Sequence, residues 1–179
     1  MQTPNPDRRL GQGVAPIIVA ATIGASDRAM LDGLRRTYFP PERNQLIAHL
    51  TLFHHLAPSL GGELDGRLRA ETRNVAAPKA ELAGLLNLGG GVAFRVDSRE
   101  LSAIRGRIAE AFATMLTPQD AAGWRAHVTI QNKVSAATAR ETLAALAAGF
   151  RPRPLAIVGL ASFYYRGGPW EPIARYRFG

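Results

Sequence analysis

The 179-residue chain contains no cysteine. That excludes a disulfide framework, a thiolate metal site and a cysteine nucleophile, and it fits a cytoplasmic protein. Lysine is nearly absent: only Lys79 and Lys133 stand among 22 basic residues. There is no nucleotidyl-lysine motif. The run Gly89-Gly90-Gly91 lacks a following Lys-Ser/Thr and precedes a strand rather than a helix, so a phosphate-binding P-loop is excluded. ATP-dependent ligation is correspondingly disfavoured. No apolar run approaches the roughly 18 residues a membrane span needs. Arg8-Arg9 before Val14–Thr22 resembles an export signal, but the run is short, contains Pro16 and leads directly into a helix start at Ser26-Asp27. It reads as a buried first strand.

What is present is a composition able to fold, 46% hydrophobic, with a net charge of +8. The length suits one domain of two similar lobes, expected over residues 13–179, after a flexible tail over 1–12. A basic surface attracts polyanions, and guanidinium forks suit phosphate. An arginine-rich composition also follows from high-GC coding, so charge alone does not identify nucleic acid.

Along the chain, Pro16–Ile23 is continuous and β-branched, as a central strand requires. Ser26 is placed to cap a helix carrying Met30, Leu31, Leu34 and Tyr38, stopped by Pro40-Pro41. A strand is expected over Gln45–Phe53, and Leu64 and Leu68 suggest a helix to about Thr72. Ala80–Leu88 and Val92–Val96 read as a hairpin around the triple glycine. Asp97 and Glu100 suit a capping box for a helix bearing Leu101, Ile104, Ile108, Phe112 and Met115. Trp124–Asn132 is the next strand. Ser135 opens a helix ending at Gly149, and Leu155–Tyr165 and Ile173–Phe178 close the chain around Gly167-Gly168-Pro169. The order is β-α-β-α, β-β-α-β-α, β-β, a crude internal duplication.

Two stretches organise this pattern: Ala48-His49-Leu50-Thr51-Leu52 and, 78 residues later, Ala126-His127-Val128-Thr129-Ile130. In a strand, residues i and i+2 share a face, so each His and its Thr point the same way with Cα atoms roughly 6.5–7 Å apart. The aliphatic residues between them turn to the opposite, buried face. With 4 His in the chain, random placement gives roughly 0.2 His-x-Thr triplets and two of them only about 2% of the time. Two matched copies are a signal. Paired imidazoles suit general acid–base chemistry near neutral pH, one taking a proton while the other gives one. Two hydroxyls beside them can donate to anionic oxygens. The set forms a cradle for one phosphodiester and requires no cofactor or metal.

On His49-Leu50-Thr51-Leu52 and His127-Val128-Thr129-Ile130, with the length and the β/α order over about residues 14–178, the chain resembles the 2H phosphoesterase superfamily. The resemblance is to its bacterial 2′-5′ RNA ligase and cyclic phosphodiesterase branch in particular. It implies an α+β fold, bilobal with a pseudo-twofold, in which two mainly antiparallel sheets with flanking helices surround a central cleft. It implies metal-independent phosphodiester chemistry on 2′,3′-cyclic phosphates, RNA ends or 2′-5′ linkages, with His49 and His127 catalytic and Thr51 and Thr129 binding phosphate. The expected partner is an RNA end or a small nucleotide, with no membrane, and the protein is expected to be a monomer. Further candidates for substrate contact are Phe53, on the face of His49 and Thr51, then Arg125, two before His127, and Tyr165 near the last turn. Phe53 and Tyr165 suit packing equally, and Arg125 suits a solvated surface. His54 and His55 read as ordinary surface histidines, since His54 points away from His49 and no carboxylate lies nearby in sequence. The alternative to an enzyme is an RNA- or nucleotide-binding module with little turnover, which needs the hydroxyl donors but not both imidazoles.

Overall fold

The computed structural model describes residues 15–179. The expected tail over 1–12 and the Arg8-Arg9 pair lie outside the described residues. Among the described residues eight strands form two antiparallel four-stranded sheets. In chain order the elements are β1 (Ile17–Ile23), α1 (Ala25–Tyr38), β2 (Leu50–Leu56), α2 (Gly61–Thr72), β3 (Glu81–Asn87) and β4 (Val92–Asp97). They continue with α3 (Arg99–Ala111), α4 (Pro118–Ala121), β5 (His127–Gln131), α5 (Ala136–Gly149), β6 (Arg153–Pro154), β7 (Ile157–Tyr164) and β8 (Glu171–Arg177).

The first sheet runs β2-β1-β7-β8 and the second β5-β4-β3-β6. The duplication is therefore real in space, but its halves are not the two halves of the sequence. Strands β7 and β8 return to the first sheet, so β1-α1-β2 corresponds to β4-α3-β5. The strands β2 and β5, which carry the two motifs, are edge strands that approach each other without hydrogen-bonding into one sheet.

Burial explains the sheets. Strand β1 sits between two partners and is buried along nearly its whole length. The apolar face of α3, Leu101, Ile104 and Ile108, joins Leu50 and Leu52 of β2 and Val128 and Ile130 of β5 in one core. At about 25 cal/mol per Å² of apolar area removed from water, these interdigitated aliphatics supply the main drive for bringing the lobes together.

Several boundaries differ from expectation for local reasons. Helix α1 begins after Gly24 without a side-chain cap, so Ser26, expected as its cap, lies inside the first turn; Asp27 beside it binds Arg153 (2.9 Å) and the Ala156 N–H (2.8 Å). Helix α3 is capped by Ser98, whose hydroxyl accepts from the Leu101 N–H at 3.1 Å; Asp97 pairs with Arg95. Met115 lies beyond α3 and is exposed, because the chain turns away to form the short α4. Ser135 caps α5 as expected. In the β3–β4 hairpin Gly89 takes φ +84°, and a Cβ on Gly91 would stand 1.9 Å from the Gln131 carbonyl oxygen. Only glycine fits that approach of β4 to β5.

Candidate active site

His49 stands one residue before β2 and Thr51 within it; His127 opens β5 and Thr129 lies at its centre. All four are half-buried, whereas Leu50, Leu52, Val128 and Ile130 are fully buried. The alternation read from the sequence thus holds through both triplets. It fails one residue later. Thr51 pairs with Ala20 but Phe53 pairs with Val19, a β-bulge at Leu52. The extra residue reverses the face, so Leu52 and Phe53 are both fully buried. Phe53 is therefore a core residue under the Arg105 guanidinium (4.7 Å from its ring centre), and its expected role in stacking a base is corrected.

The two imidazoles are held by the same device. His49 Nδ1 lies 2.7 Å from the Ile47 carbonyl oxygen and His127 Nδ1 2.7 Å from that of Arg125. A carbonyl only accepts, so each Nδ1 carries a proton, and the Nε2 of each ring is left for a ligand. Beside each threonine the neighbouring strand places an alanine, Ala20 beside Thr51 and Ala93 beside Thr129. Small side chains leave the hydroxyls accessible.

The surroundings then diverge. His49 packs against Trp170, ring centres 4.4 Å apart, and Trp170 in turn lies 5.4 Å from Phe163. Loss of hydration lowers the His49 pKa to about 4; its bond to the Ile47 carbonyl opposes this, while the positive fields of Arg35, His127 and His54 add to it. His127 instead has Arg95 as its cross-strand neighbour. Arg95 lies over Gly84, donates to the Ala83 carbonyl at 3.2 Å and pairs with Asp97.

Edge strands expose unpaired backbone groups, and here each lobe caps the other's edge. Trp124 Nε1, just ahead of β5, donates to the Thr51 carbonyl at 3.0 Å. Arg35 of α1 donates to the Thr129 carbonyl at 2.8 Å, and also to Asn44 Oδ1 (2.9 Å) and the Leu46 carbonyl (3.2 Å). Each phosphate-candidate threonine is thus fixed through its own backbone by a side chain from across the cleft. Arg35 is buried; desolvation lowers its pKa and Asp32 opposes that, but a guanidinium keeps its charge throughout the ordinary pH range. At the far end of β2, Asp120 of α4 accepts from the His54 and His55 N–H groups at 2.8 Å each. Burial pushes the Asp120 carboxyl up, but hydrogen bonds from the His54 side chain and from these two backbone N–H groups outweigh it and hold its pKa below the usual range. Both histidines are exposed, and the carboxylate that sequence proximity did not reveal comes from 66 residues away.

Arg125 is exposed beside a shallow groove that also contains Arg95 and Trp124. Tyr165 is exposed and only its backbone is tied, to the Pro16 carbonyl at 3.0 Å. The last hairpin does bring an aromatic residue to His49, but it is Trp170 rather than Tyr165, the next residue after Gly167-Gly168-Pro169. Neither Arg35, Trp124 nor Trp170 was singled out by sequence reading; a tryptophan directly after a Gly-Gly-Pro turn is the one local sign that pointed there. Next to His49 opens a cavity of about 270 Å³ lined by Ala20, Thr22, Ala161, Phe163, Trp170 and Arg175 among others.

The family model described as the 2′-5′ RNA ligase superfamily matches residues 24–169. The fold is similar to that of E. coli LigT complexed with 3′-AMP, with TM-score 0.60 and 18% identity over 92% of this chain and 98% of that one. LigT complexed with NADP+ gives TM-score 0.58 at 15% identity, over 92% and 98% of the two chains. The protein TT0787 of Thermus thermophilus gives TM-score 0.60 at 15% identity, over 91% and 97%. No curated protein sequence matches the chain.

Proposed function

The chain belongs to the 2′-5′ RNA ligase superfamily, and from that membership we propose that it hydrolyses a phosphodiester by paired proton transfer between His49 and His127. The substrate class is a 2′,3′-cyclic phosphate, an RNA end or a 2′-5′ linkage. The observation that carries this reading is the matched anchoring of both Nδ1 atoms on carbonyls two residues back, at 2.7 Å each, with a threonine two residues on. It leaves two Nε2 atoms and two hydroxyls for one ligand.

The roles follow from the surroundings. A histidine whose pKa lies near 4 is neutral at pH 7, so His49 is assigned as the base and His127 as the acid. His49 Nε2 takes a proton from water as the water oxygen bonds to phosphorus. The bond from phosphorus to one ribose oxygen breaks, and His127 Nε2–H gives that oxygen its proton. Thr51 and Thr129 donate to the two non-bridging oxygens, whose charge grows in the transition state. Opening the cyclic ester yields a phosphomonoester, and reversal with a ribose hydroxyl in place of water is 2′-5′ ligation. The solved LigT structure with 3′-AMP supports a nucleotide-like ligand.

Turnover of adenosine 2′,3′-cyclic phosphate with EDTA present tests this, alongside RNA with cyclic ends and 2′-5′-linked oligonucleotides. Activity in the wild type, lost in both His49→Ala and His127→Ala with binding retained, supports the assignment. Unchanged activity in either variant removes that residue, and wild-type binding without turnover on the whole panel leaves the binding-module reading.

A further inference from the structure

The two sheets present comparable rows of residues to the cleft. In the first sheet the row is Thr51, Ala20, Ala161, Arg175; in the second it is Thr129, Ala93, Leu86. The third position decides the shape. Leu86 fills it in the second lobe, whereas Ala161 leaves it empty in the first, and that is where the 270 Å³ cavity lies. Its floor is made of alanines, Phe163 and Trp170 form an aromatic wall, and His49 stands at its mouth. The volume is just under the roughly 300–1,000 Å³ of small-molecule pockets, a fit for one flat ring system and its sugar rather than a polymer.

Charge completes the description. Arg28 and Arg175 also line the cavity, and among the described residues neither is in a salt bridge. Arg175 is three strands from Thr51, roughly 14 Å at about 4.8 Å per strand. At that spacing Arg175 and Thr51 suit two separate anionic groups of one ligand.

We propose that this cavity is a nucleobase site on the His49 side of the cleft, and that Arg28 and Arg175 take the 5′-phosphate of the same nucleotide. The inference rests on the reading of His49 and His127 as a phosphodiester site and narrows it. The substrate is then the 3′-terminal nucleotide of an RNA chain, entering base-first into the first lobe, rather than any cyclic phosphate.

The test compares three substrates on the full chain: ribose 2′,3′-cyclic phosphate, adenosine 2′,3′-cyclic phosphate, and its 5′-phosphorylated form. In the wild type kcat/KM should rise on the order of tenfold when the base is added, the scale on which stacking acts, and again several-fold with the 5′-phosphate. Ala161→Leu, which copies the second lobe, should abolish the gain from the base while leaving the base-free substrate unchanged. Arg175→Gln should abolish only the gain from the 5′-phosphate and flatten the salt dependence of KM. Both gains must be present and must fall separately; a wild type indifferent to base or to 5′-phosphate, or variants that lower all three substrates equally, overturns the proposal. A second arm titrates adenosine 3′,5′-bisphosphate and ribose 3,5-bisphosphate against tryptophan fluorescence. Preference for the base-bearing ligand there, with no turnover of any cyclic substrate, would sink the enzymatic reading and keep the pocket; equal binding of both would sink the pocket.

Discussion

The two lobes carry the same motif and surround its histidine with different neighbours. Each anchors Nδ1 on the carbonyl two residues back and sets an alanine beside the threonine. In the first lobe Trp170 of the β7–β8 turn, backed by Phe163 of β7, packs on the imidazole. In the second, an arginine already engaged with Asp97 lies beside it. The scaffold is symmetric while the electrostatics are not, and a difference in environment is what separates base from acid in a paired site. The lesson is that a repeated strand pattern supplies two equal groups and the neighbours of one lobe make them unequal.

The largest expected effect removes the pair. His49→Ala and His127→Ala should each lower kcat by roughly 10²–10⁴-fold, with the double variant far short of the product because the two act as a unit. Steady-state kinetics on adenosine 2′,3′-cyclic phosphate measures it, and near-additive losses would break the idea of one concerted site. Next come the hydroxyls. Thr51→Val and Thr129→Val should each cost about 10²-fold in kcat, by similar amounts if the cradle is symmetric; a loss confined to one would place the phosphate in a single lobe.

The asymmetry itself is tested by pH. With the His49 pKa near 4, the basic form is present above that value, so the acidic limb of kcat/KM should lie near pH 4 in the wild type. On ribose 2′,3′-cyclic phosphate, which has no base to stack, Trp170→Ala rehydrates the ring and should move that limb up toward 6.5, a loss roughly thirtyfold greater at pH 5 than at pH 8. An unmoved limb would mean that Trp170 does not set the difference between the lobes.

The smallest effects concern the clasp. Arg35→Met leaves the Thr129 and Leu46 carbonyls and Asn44 without their donor, which should cost about 3 kcal/mol in urea unfolding. Trp124→Phe removes one donor from the Thr51 carbonyl and should cost about 1 kcal/mol. Equal costs would show that the two straps are energetically matched despite their different chemistry.

Much of this was legible along the chain. Period-two alternation fixed the face of His49, Thr51, His127 and Thr129, because in a strand that face depends only on local backbone geometry. The same reasoning failed at Phe53, since the bulge that turns it inward arises from the pairing of β2 with β1, which local pattern does not encode. Capping was readable at Ser135 and off by one at Ser98, where Asp97 had a competing partner in Arg95.

What the amino-acid sequence determined by itself was therefore the inventory: two strands, each offering an imidazole and a hydroxyl over an aliphatic underside. What only the tertiary structure decided was their inequality and their grip. Trp124 and Arg35 reach the motif threonines from 73 and 94 residues away, and Trp170 reaches His49 from a different hairpin. Hydration, field and edge capping are properties of neighbours in space, and those neighbours are brought into place only when the two sheets close on a common core.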